Sequence, residues 1–428
     1  MRSRRAFLKR LSVSGAAYPL YDRLVPDLRG EALNAEHGGS ASLASLAGKV
    51  KITDLQIIPV TLPNARNTYV FVEILTDAGV KGLGEATLEG KPEATMGALR
   101  DLRHFLIGKD PTMIEHVWQA IYRFSFYRSG PVLSSALGGI DIALWDIQGK
   151  LLGVPIWKLL GGPTRERIRV YTHLGDEYPD RGAGRARELV AIGFRALKTF
   201  PQGSYEMVEG PSKIHKIVAN LKGIREAVGE NVDLMFDAHG DLYPSVSWQL
   251  ARELEELHLL WIEEPTLPED LDAMKKVQEK ISVPIAAGER LFTIWGFREL
   301  LEKGIVDVVQ PDIVHAGGIS QVKKIAAMAE AHYVAVAPHN PLSPVATAAC
   351  LHVDAAIPNF LIQEVVYGLS ARNAMVNEPI ERVSDGYIEL PRKPGLGVEL
   401  NHDIIRQYGY RHPEFEEVYR PDGSVGEN

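Results

Sequence analysis

The chain carries one cysteine, Cys350, in 428 residues. It can therefore form no internal disulfide and no cysteine-rich zinc site. It has no run of about 18 apolar residues, which excludes an ordinary membrane-spanning helix. It also lacks an excess of positive charge, since 47 Lys+Arg stand against 55 Asp+Glu for a formal net charge of −8. That balance gives no reason to expect a nucleic-acid partner or an anionic membrane surface. Low-complexity segments are missing, and so is any repeat beyond an alternating strand–helix rhythm. What is present is ordinary for a globular protein, with 45% hydrophobic and 24% charged residues. The length allows two domains, one of them a full (β/α)₈ barrel.

The first 48 residues differ from the rest. Ser3-Arg4-Arg5-Ala6-Phe7-Leu8-Lys9 reads as a twin-arginine export signal. A weakly apolar stretch, Leu11 to Tyr21, follows it, and Ser42-Leu43-Ala44 and Ser45-Leu46-Ala47 offer small-x-small cleavage patterns. Export to the periplasm is the expectation, with a basic cytoplasmic tail as the alternative.

Residues 49–163 read as an α+β capping domain. Val50 to Leu62, Tyr69 to Thr76 and Val80 to Gly84 are strand-like, with a hairpin signal at Asp77-Ala78-Gly79. Pro92 to Ile107, Ile114 to Phe124 and Ser134 to Leu152 read as helices. After Gly161-Gly162-Pro163 the pattern becomes strand, helix, strand, helix. Short strands are expected near Arg169, Ala196, Asp233, Leu260, Ile285, Val306, Ala335 and Leu361. Right-handed crossovers between them would close an α/β fold of the (β/α)7-8 TIM-barrel type over residues 164–372. Residues 373–428 have polar turns, short β-like pieces and no helical period. They are expected to pack back on the cap and complete it.

Three acids stand out. Asp237, Glu263 and Glu289 are spaced by 26 residues and again by 26, each after an apolar, β-prone run. That interval places one carboxylate at the C-terminal end of each of three successive barrel strands, where such barrels carry their chemistry. Three carboxylates held together repel unless a cation sits between them. Hard oxygen ligands of this kind suit Mg²⁺. In Glu263-Glu264 either side chain can point inward, but the equal interval favours Glu263.

Other strand ends carry polar groups. His239 follows Asp237 by two residues, which on a strand is the same side. Asp312 ends the sixth strand and His339 the seventh, close enough for a carboxylate to orient an imidazole and raise its basicity. Glu364 ends the eighth strand and, if protonated, can hydrogen-bond a developing oxyanion. Lys198 ends the second, and can contact a substrate carboxylate or simply be ion-paired. Arg290 can order the metal ligands or pair with an acid. A metal facing a His–Asp pair suits removal of a proton α to a carboxylate, a poorly acidic position. A second imidazole on another strand can then protonate a leaving β-hydroxyl. The outcome is dehydration to a 2-keto-3-deoxy acid.

Several motifs together carry a resemblance: Phe126-Tyr127-Arg128-Ser129-Gly130-Pro131, Gly139-Ile140-Asp141, Asp237-Ala238-His239-Gly240, Ile262-Glu263-Glu264-Pro265, Gly288-Glu289-Arg290, Gln310-Pro311-Asp312, His315-Ala316-Gly317-Gly318, Ala337-Pro338-His339 and Gln363-Glu364. From about Lys51 onward the chain resembles the mandelate-racemase group of the enolase superfamily, and within it the galactonate dehydratase-like acid-sugar dehydratases. The resemblance implies Mg²⁺ on Asp237, Glu263 and Glu289, a base at His339 paired with Asp312, an acid at His239, and an enolate-stabilising Glu364. Lys198, His315 and Arg290 are then candidate substrate contacts. It implies a hydro-lyase acting on a small sugar acid (aldonate or aldarate), cap loops around Thr61 to Asn67 and Glu85 to Lys91 that close over it, and a homo-oligomer. Against that family's usual pattern, Phe200 replaces Asn, Asp241 replaces Arg, Asn340 replaces Cys, and Val365-Val366 replaces a polar pair. Chemistry thus transfers better than substrate. The alternatives are a racemase, epimerase or cycloisomerase on the same scaffold, and a non-catalytic sugar-acid binding protein.

Overall fold

A computed structural model describes residues 48–63, 68–124, 126–175, 182–201, 205–414, 417–420 and 422–426. The twin-arginine segment and part of the first cap loop, 64–67, lie outside the described residues.

The chain opens with an antiparallel sheet of β1 (Ile52–Thr61), β2 (Thr68–Thr76) and β3 (Lys81–Glu85), in that spatial order. The central strand β2 is buried on both faces, and its alternation explains how. Val70, Val72 and Ile74 point into a helical layer with Leu99, Trp118, Leu137 and Leu144. Tyr69 and Phe71 point the other way, into a cluster with Phe297, Val345 and Leu396 from the barrel side. The cap helices span Pro92–Leu106, Ile114–Phe124 and Pro131–Leu152. The last begins with Pro at its first position and ends at Gly153 in the left-handed region (φ 67°), the expected start and stop. It crosses β3 so closely that a Cβ on Gly84 would lie 2.0 Å from the Gly139 carbonyl oxygen.

Eight parallel strands follow: β4 (Arg167–His173), β5 (Ala196–Thr199), β6 (Asp233–Asp237), β7 (Trp261–Glu263), β8 (Ile285–Ala287), β9 (Val308–Val309), β10 (Ala335–Val336) and β11 (Gln363–Glu364). The ladder runs β10-β9-β8-β7-β6-β5-β4-β11. Its two ends meet through a parallel bridge, Val336 to Phe360, with Val336 N donating to Asn359 O and Leu361 N to Val336 O. Inside, Tyr171, Ala196, Met235, Trp261, Ala286, Val308, Ala337 and Ile362 form one buried layer with one residue from each strand or its flank. Large and small side chains mix in this layer, as filling a barrel requires.

The C-terminal region corrects one expectation. It does contain a helix, His402–Tyr408, after a short β12 (Tyr387–Glu389) that pairs antiparallel with β4. Two turns are too short to show a helical period, and Asn401 caps them by accepting from Ile404 N. This helix lies on the cap: Thr61 N donates to Gly409 O, and His402 reaches Glu73 at 2.9 Å.

Candidate active site

Period-2 geometry builds the site on the buried layer. Two residues beyond Tyr171, Ala196, Met235, Trp261, Ala337 and Ile362 come His173, Lys198, Asp237, Glu263, His339 and Glu364. The strands thus deliver a ring of polar groups just above an apolar plug. Two candidate acids escape that rule. Glu289 follows Gly288, whose φ of 144° turns the chain, and Asp312 lies beyond the strand, fixed by its own Oδ1 accepting from Val314 N (2.7 Å) and His315 N (2.9 Å).

Asp237, Glu263 and Glu289 converge, with one oxygen from each within 4.8 Å of the others. Oxygens sharing one Mg²⁺ sit roughly 3–4 Å apart, so the three fit a small hard cation with slight movement. The charge balance fits as well. Burial, then the charge of Asp237, push Glu263 up to about 8. Glu264, close by, is raised well above the usual range by burial and by Glu289. The cations beside them, Lys198 and Arg290, offset this charge only in part. Such a donor set suits Mg²⁺ as cofactor.

Lys198 is the cation already among them. It is 1% exposed, and its Nζ lies 2.7 Å from Glu263 Oε1, 3.0 Å from Glu364 Oε1 and 3.1 Å from Asp237 Oδ2. Burial opposes its charge, but Asp237, Glu263 and Glu364 hold it well above the ordinary lysine range. Burial likewise opposes ionisation of Asp237, yet Lys198, His239 and His173 keep that carboxyl low. Of the two readings of Lys198, ion pair and substrate contact, the structure places the ion pair directly; the residue also lines the cavity.

Asp312 and His339 come together as expected, with Nδ1 3.0 Å from Oδ2. The other ring nitrogen faces the metal ligands, 3.6 Å from Glu289 Oε2. Burial alone would lower His339, but Glu289 and the Asp312 bond raise it well above the usual range. His239 reaches the cavity by a different route from the one expected. β6 ends at Asp237, and His239 sits at φ 55°, so the backbone has left the strand before it. Its amide donates to Asp237 Oδ1 (2.8 Å), and Arg290 clamps its carbonyl (2.7 Å) while bonding Glu264 (2.8 Å). Arg290 therefore orders the neighbourhood of the ligands.

Glu364 departs from expectation. Its Oε1 accepts from Lys198 and meets His173 Nε2, and its Oε2 accepts from Asn340 N at 2.7 Å. Although burial opposes it, Lys198 and His173 hold the carboxyl well below the usual range. It accepts at both oxygens and has no proton to offer an oxyanion. His315 also has both ring nitrogens engaged. Nδ1 lies 2.8 Å from Ser135 Oγ, and Nε2 lies 3.3 Å from Glu89 and 3.8 Å from Asp312.

Of these groups, Lys198, Asp237, His239, Glu289, His315 and His339 line one cavity of about 680 Å³, whose wall also includes Leu88, Glu89, Pro131, Phe200 and Phe292. His173 and Glu89 are not among the candidates read from the sequence. The end of the first barrel strand, Val-Tyr-Thr-His, was a signal for His173. Glu89 lies in a cap loop far away in sequence, and only the fold brings it to His315.

Comparison with known proteins decides the family. Residues 182–404 match the enolase C-terminal domain-like family, and residues 50–161 match the mandelate racemase / muconate lactonizing enzyme N-terminal domain. The chain belongs to the enolase superfamily. It is 38% identical to a D-galactonate dehydratase of Pectobacterium atrosepticum, covering 87% of this chain and 100% of the relative. A D-galactonate dehydratase of Ralstonia pickettii is 40% identical over 84% of this chain and 96% of its own. Among solved structures, an enolase-superfamily member from Salmonella Typhimurium superposes with a TM-score of 0.80 at 34% identity, over 84% of this chain and 98% of that one. The enolase-superfamily architecture, a barrel mouth under an α+β cap, is thus the frame in which the carboxylate triad sits.

Proposed function

We propose that the protein is a Mg²⁺-dependent hydro-lyase that dehydrates a sugar acid to a 2-keto-3-deoxy acid. The observation that carries this reading is the placement of His339. One ring nitrogen is held by Asp312, and the other is turned toward the metal-ligand Glu289. Bound Mg²⁺ would supply positive charge to the substrate carboxylate as its α-carbon loses a proton. His339 takes that proton at Nε2, and Asp312 keeps Nδ1–H in place and stabilises the imidazolium. His239, exposed to the cavity, donates a proton to the β-hydroxyl, which leaves as water. The resulting enol tautomerises to the keto acid. Arg290 positions His239 through its carbonyl, and Glu364 fixes Lys198, His173 and the Asn340 backbone.

A racemase on this scaffold would need Lys198 or His239 to return the proton to the opposite face. Lys198 is bonded to three carboxylates, which hold its proton tightly and make it a poor donor to carbon. The names of the relatives make D-galactonate the first acid to test. Incubation with Mg²⁺ and a panel of aldonates and aldarates, read with semicarbazide for keto acids, tests the reading. Isotope exchange with inversion at Cα and no keto acid, seen by ¹H-NMR in D₂O, would replace it with epimerisation.

The twin-arginine segment supports export to the periplasm, and fractionation of cells with and without a working twin-arginine translocase tests that. The family resemblance supports assembly as a homo-oligomer, and light scattering of the purified protein tests it. No helix among the described residues is long and apolar enough to cross a membrane.

A further inference from the structure

The apolar layer beneath the site carries one polar handle. Trp261 belongs to that layer and is the largest fully buried side chain among the described residues. It stands two residues before Glu263 on β7, so both side chains leave the strand on the same face. The indole spans the step between them, and its Nε1 donates to Glu263 Oε2 at 3.0 Å. Tyr171 meets the ring edge-on, with centroids 5.6 Å apart and planes at 81°, and helps to fix the direction of that N–H.

Glu263 is thereby held at both oxygens. Lys198 Nζ donates to Oε1 at 2.7 Å, and Trp261 donates to Oε2. The two donors differ in kind. Lys198 is a cation shared with Asp237 and Glu364, and its charge opposes a metal ion entering beside it. The indole N–H is neutral and donates only. It orients the carboxylate without repelling a cation, and each oxygen keeps a further lone pair. The terminal torsion of a glutamate is soft. A carboxylate held at one oxygen can pivot about that bond. Held at both, it has its plane fixed in advance, so less ordering remains when a ligand binds.

Resting on the Mg²⁺ reading above, we propose that Trp261 is a positioning residue of the metal site. Its N–H presents Glu263 to the ion, and part of the Mg²⁺ affinity derives from this bond. Loss of a partner that orients a metal ligand typically lowers affinity about 10–100-fold.

Trp261→Phe keeps a buried aromatic ring and removes the N–H. Its Mg²⁺ affinity by calorimetry is expected to fall about tenfold or more. Met235→Leu, a volume-conserving change in the same layer, is expected to bind Mg²⁺ as wild type does. Circular dichroism checks that both variants fold. A spectroscopic readout separates the hydrogen bond from packing. The chain has six tryptophans, and none is among the described residues of the cavity wall. In wild-type protein labelled with 5-fluorotryptophan, one ¹⁹F resonance should shift as Mg²⁺ is added, and that resonance should be missing from Trp261→Phe. If the Phe variant does not fold, the wild-type titration decides, and resonances that stay still while calorimetry shows Mg²⁺ binding overturn the proposal. Affinity unchanged in Trp261→Phe, or lowered equally in Met235→Leu, or shifts only in resonances that Trp261→Phe retains, also overturn it. Wild-type protein that binds Mg²⁺ but forms no keto acid overturns the dehydratase reading and leaves the role of Trp261 standing. Wild-type protein that binds no Mg²⁺ overturns both.

Discussion

The cap and the barrel contribute to the same cavity in opposite ways. The barrel brings charge: Lys198, Asp237, Glu263, Glu289 and His339 all rise from strand ends onto one buried floor. Among the described residues the cap brings Leu88 and Pro131, which are carbon surface, and one acid, Glu89. Its polar groups are spent on fastening. Trp118 Nε1 donates to Gly317 O (2.8 Å), and Asp141 accepts from Ser320 N (3.0 Å) and Oγ (2.5 Å). Glu85 accepts from Thr87 Oγ1 (2.7 Å), Ala346 N (3.1 Å) and Ser343 Oγ, at the N-terminus of the helix Pro344–Ala356. The lesson is a division of labour. The barrel holds the carboxylate triad and the His–Asp pair, and the cap is anchored to loops beside them, so changes in the two should fail in different ways.

The largest expected effect lies in the barrel. His339→Asn should lower turnover and α-proton exchange into D₂O by about 10²–10⁴-fold, the range of general-base catalysis. Magnesium affinity by calorimetry should stay nearly unchanged, and so should the melting temperature. Persistence of exchange would place the base elsewhere.

The next effect lies in the cap and appears in stability. Burial pushes Glu85 from 4.5 up to about 7, although Ser343, Thr87, Ala346 and Arg372 pull it down. Below pH 4.5 folded and unfolded chains both hold this proton. Between about 4.5 and 7 the folded chain holds it and the unfolded chain does not, so the contribution of Glu85 to stability falls as pH rises through that window. The loss is on the order of 3 kcal/mol. Glu85→Gln should flatten this part of the pH–stability curve measured by denaturant titration. An unchanged slope would show that Glu85 ionises freely in the folded protein.

Gly84→Ala should cost about 1–3 kcal/mol by overpacking, because the new Cβ meets the Gly139 carbonyl, which belongs to a helix backbone. Calorimetry should show the fall in melting temperature, and a wild-type value would mean that the cap sheet can move off its helix. The smallest effect is at a polar contact between cap loop and site. Glu89 is half exposed, and its pairing with His315 has the modest worth of a solvent-touched ion pair. Glu89→Gln should lower kcat/KM by no more than about fivefold. A loss comparable to that of His339→Asn would erase the distinction between cap and barrel.

Much of this was legible in the chain. The strand–helix rhythm located all eight barrel strands, and the equal intervals between Asp237, Glu263 and Glu289 picked Glu263 over Glu264. Glu264 indeed turns to Arg290. Period 2 was a good guide while the chain stayed in a strand, and it would have found His173 two residues after Tyr171. It misled at His239, which itself sits in the left-handed region beyond the strand end, although the side chain reaches the cavity anyway. The short helix His402–Tyr408 was hidden because its two turns owe their stability to packing on the cap rather than to their own pattern.

By itself the sequence determined which polar side chains stand at the strand ends and their order around the barrel, because strand periodicity and repeat length are local properties that residue types can encode. Only the tertiary structure decided what each charge is paired with: that Lys198 lies among three carboxylates, that Glu364 accepts rather than donates, and that Glu89 crosses from the cap to His315. The physical reason is distance along the chain. The protonation and hydrogen bonding of a buried group depend on neighbours tens to hundreds of residues away, which come within reach of it only when the barrel closes and the cap is seated.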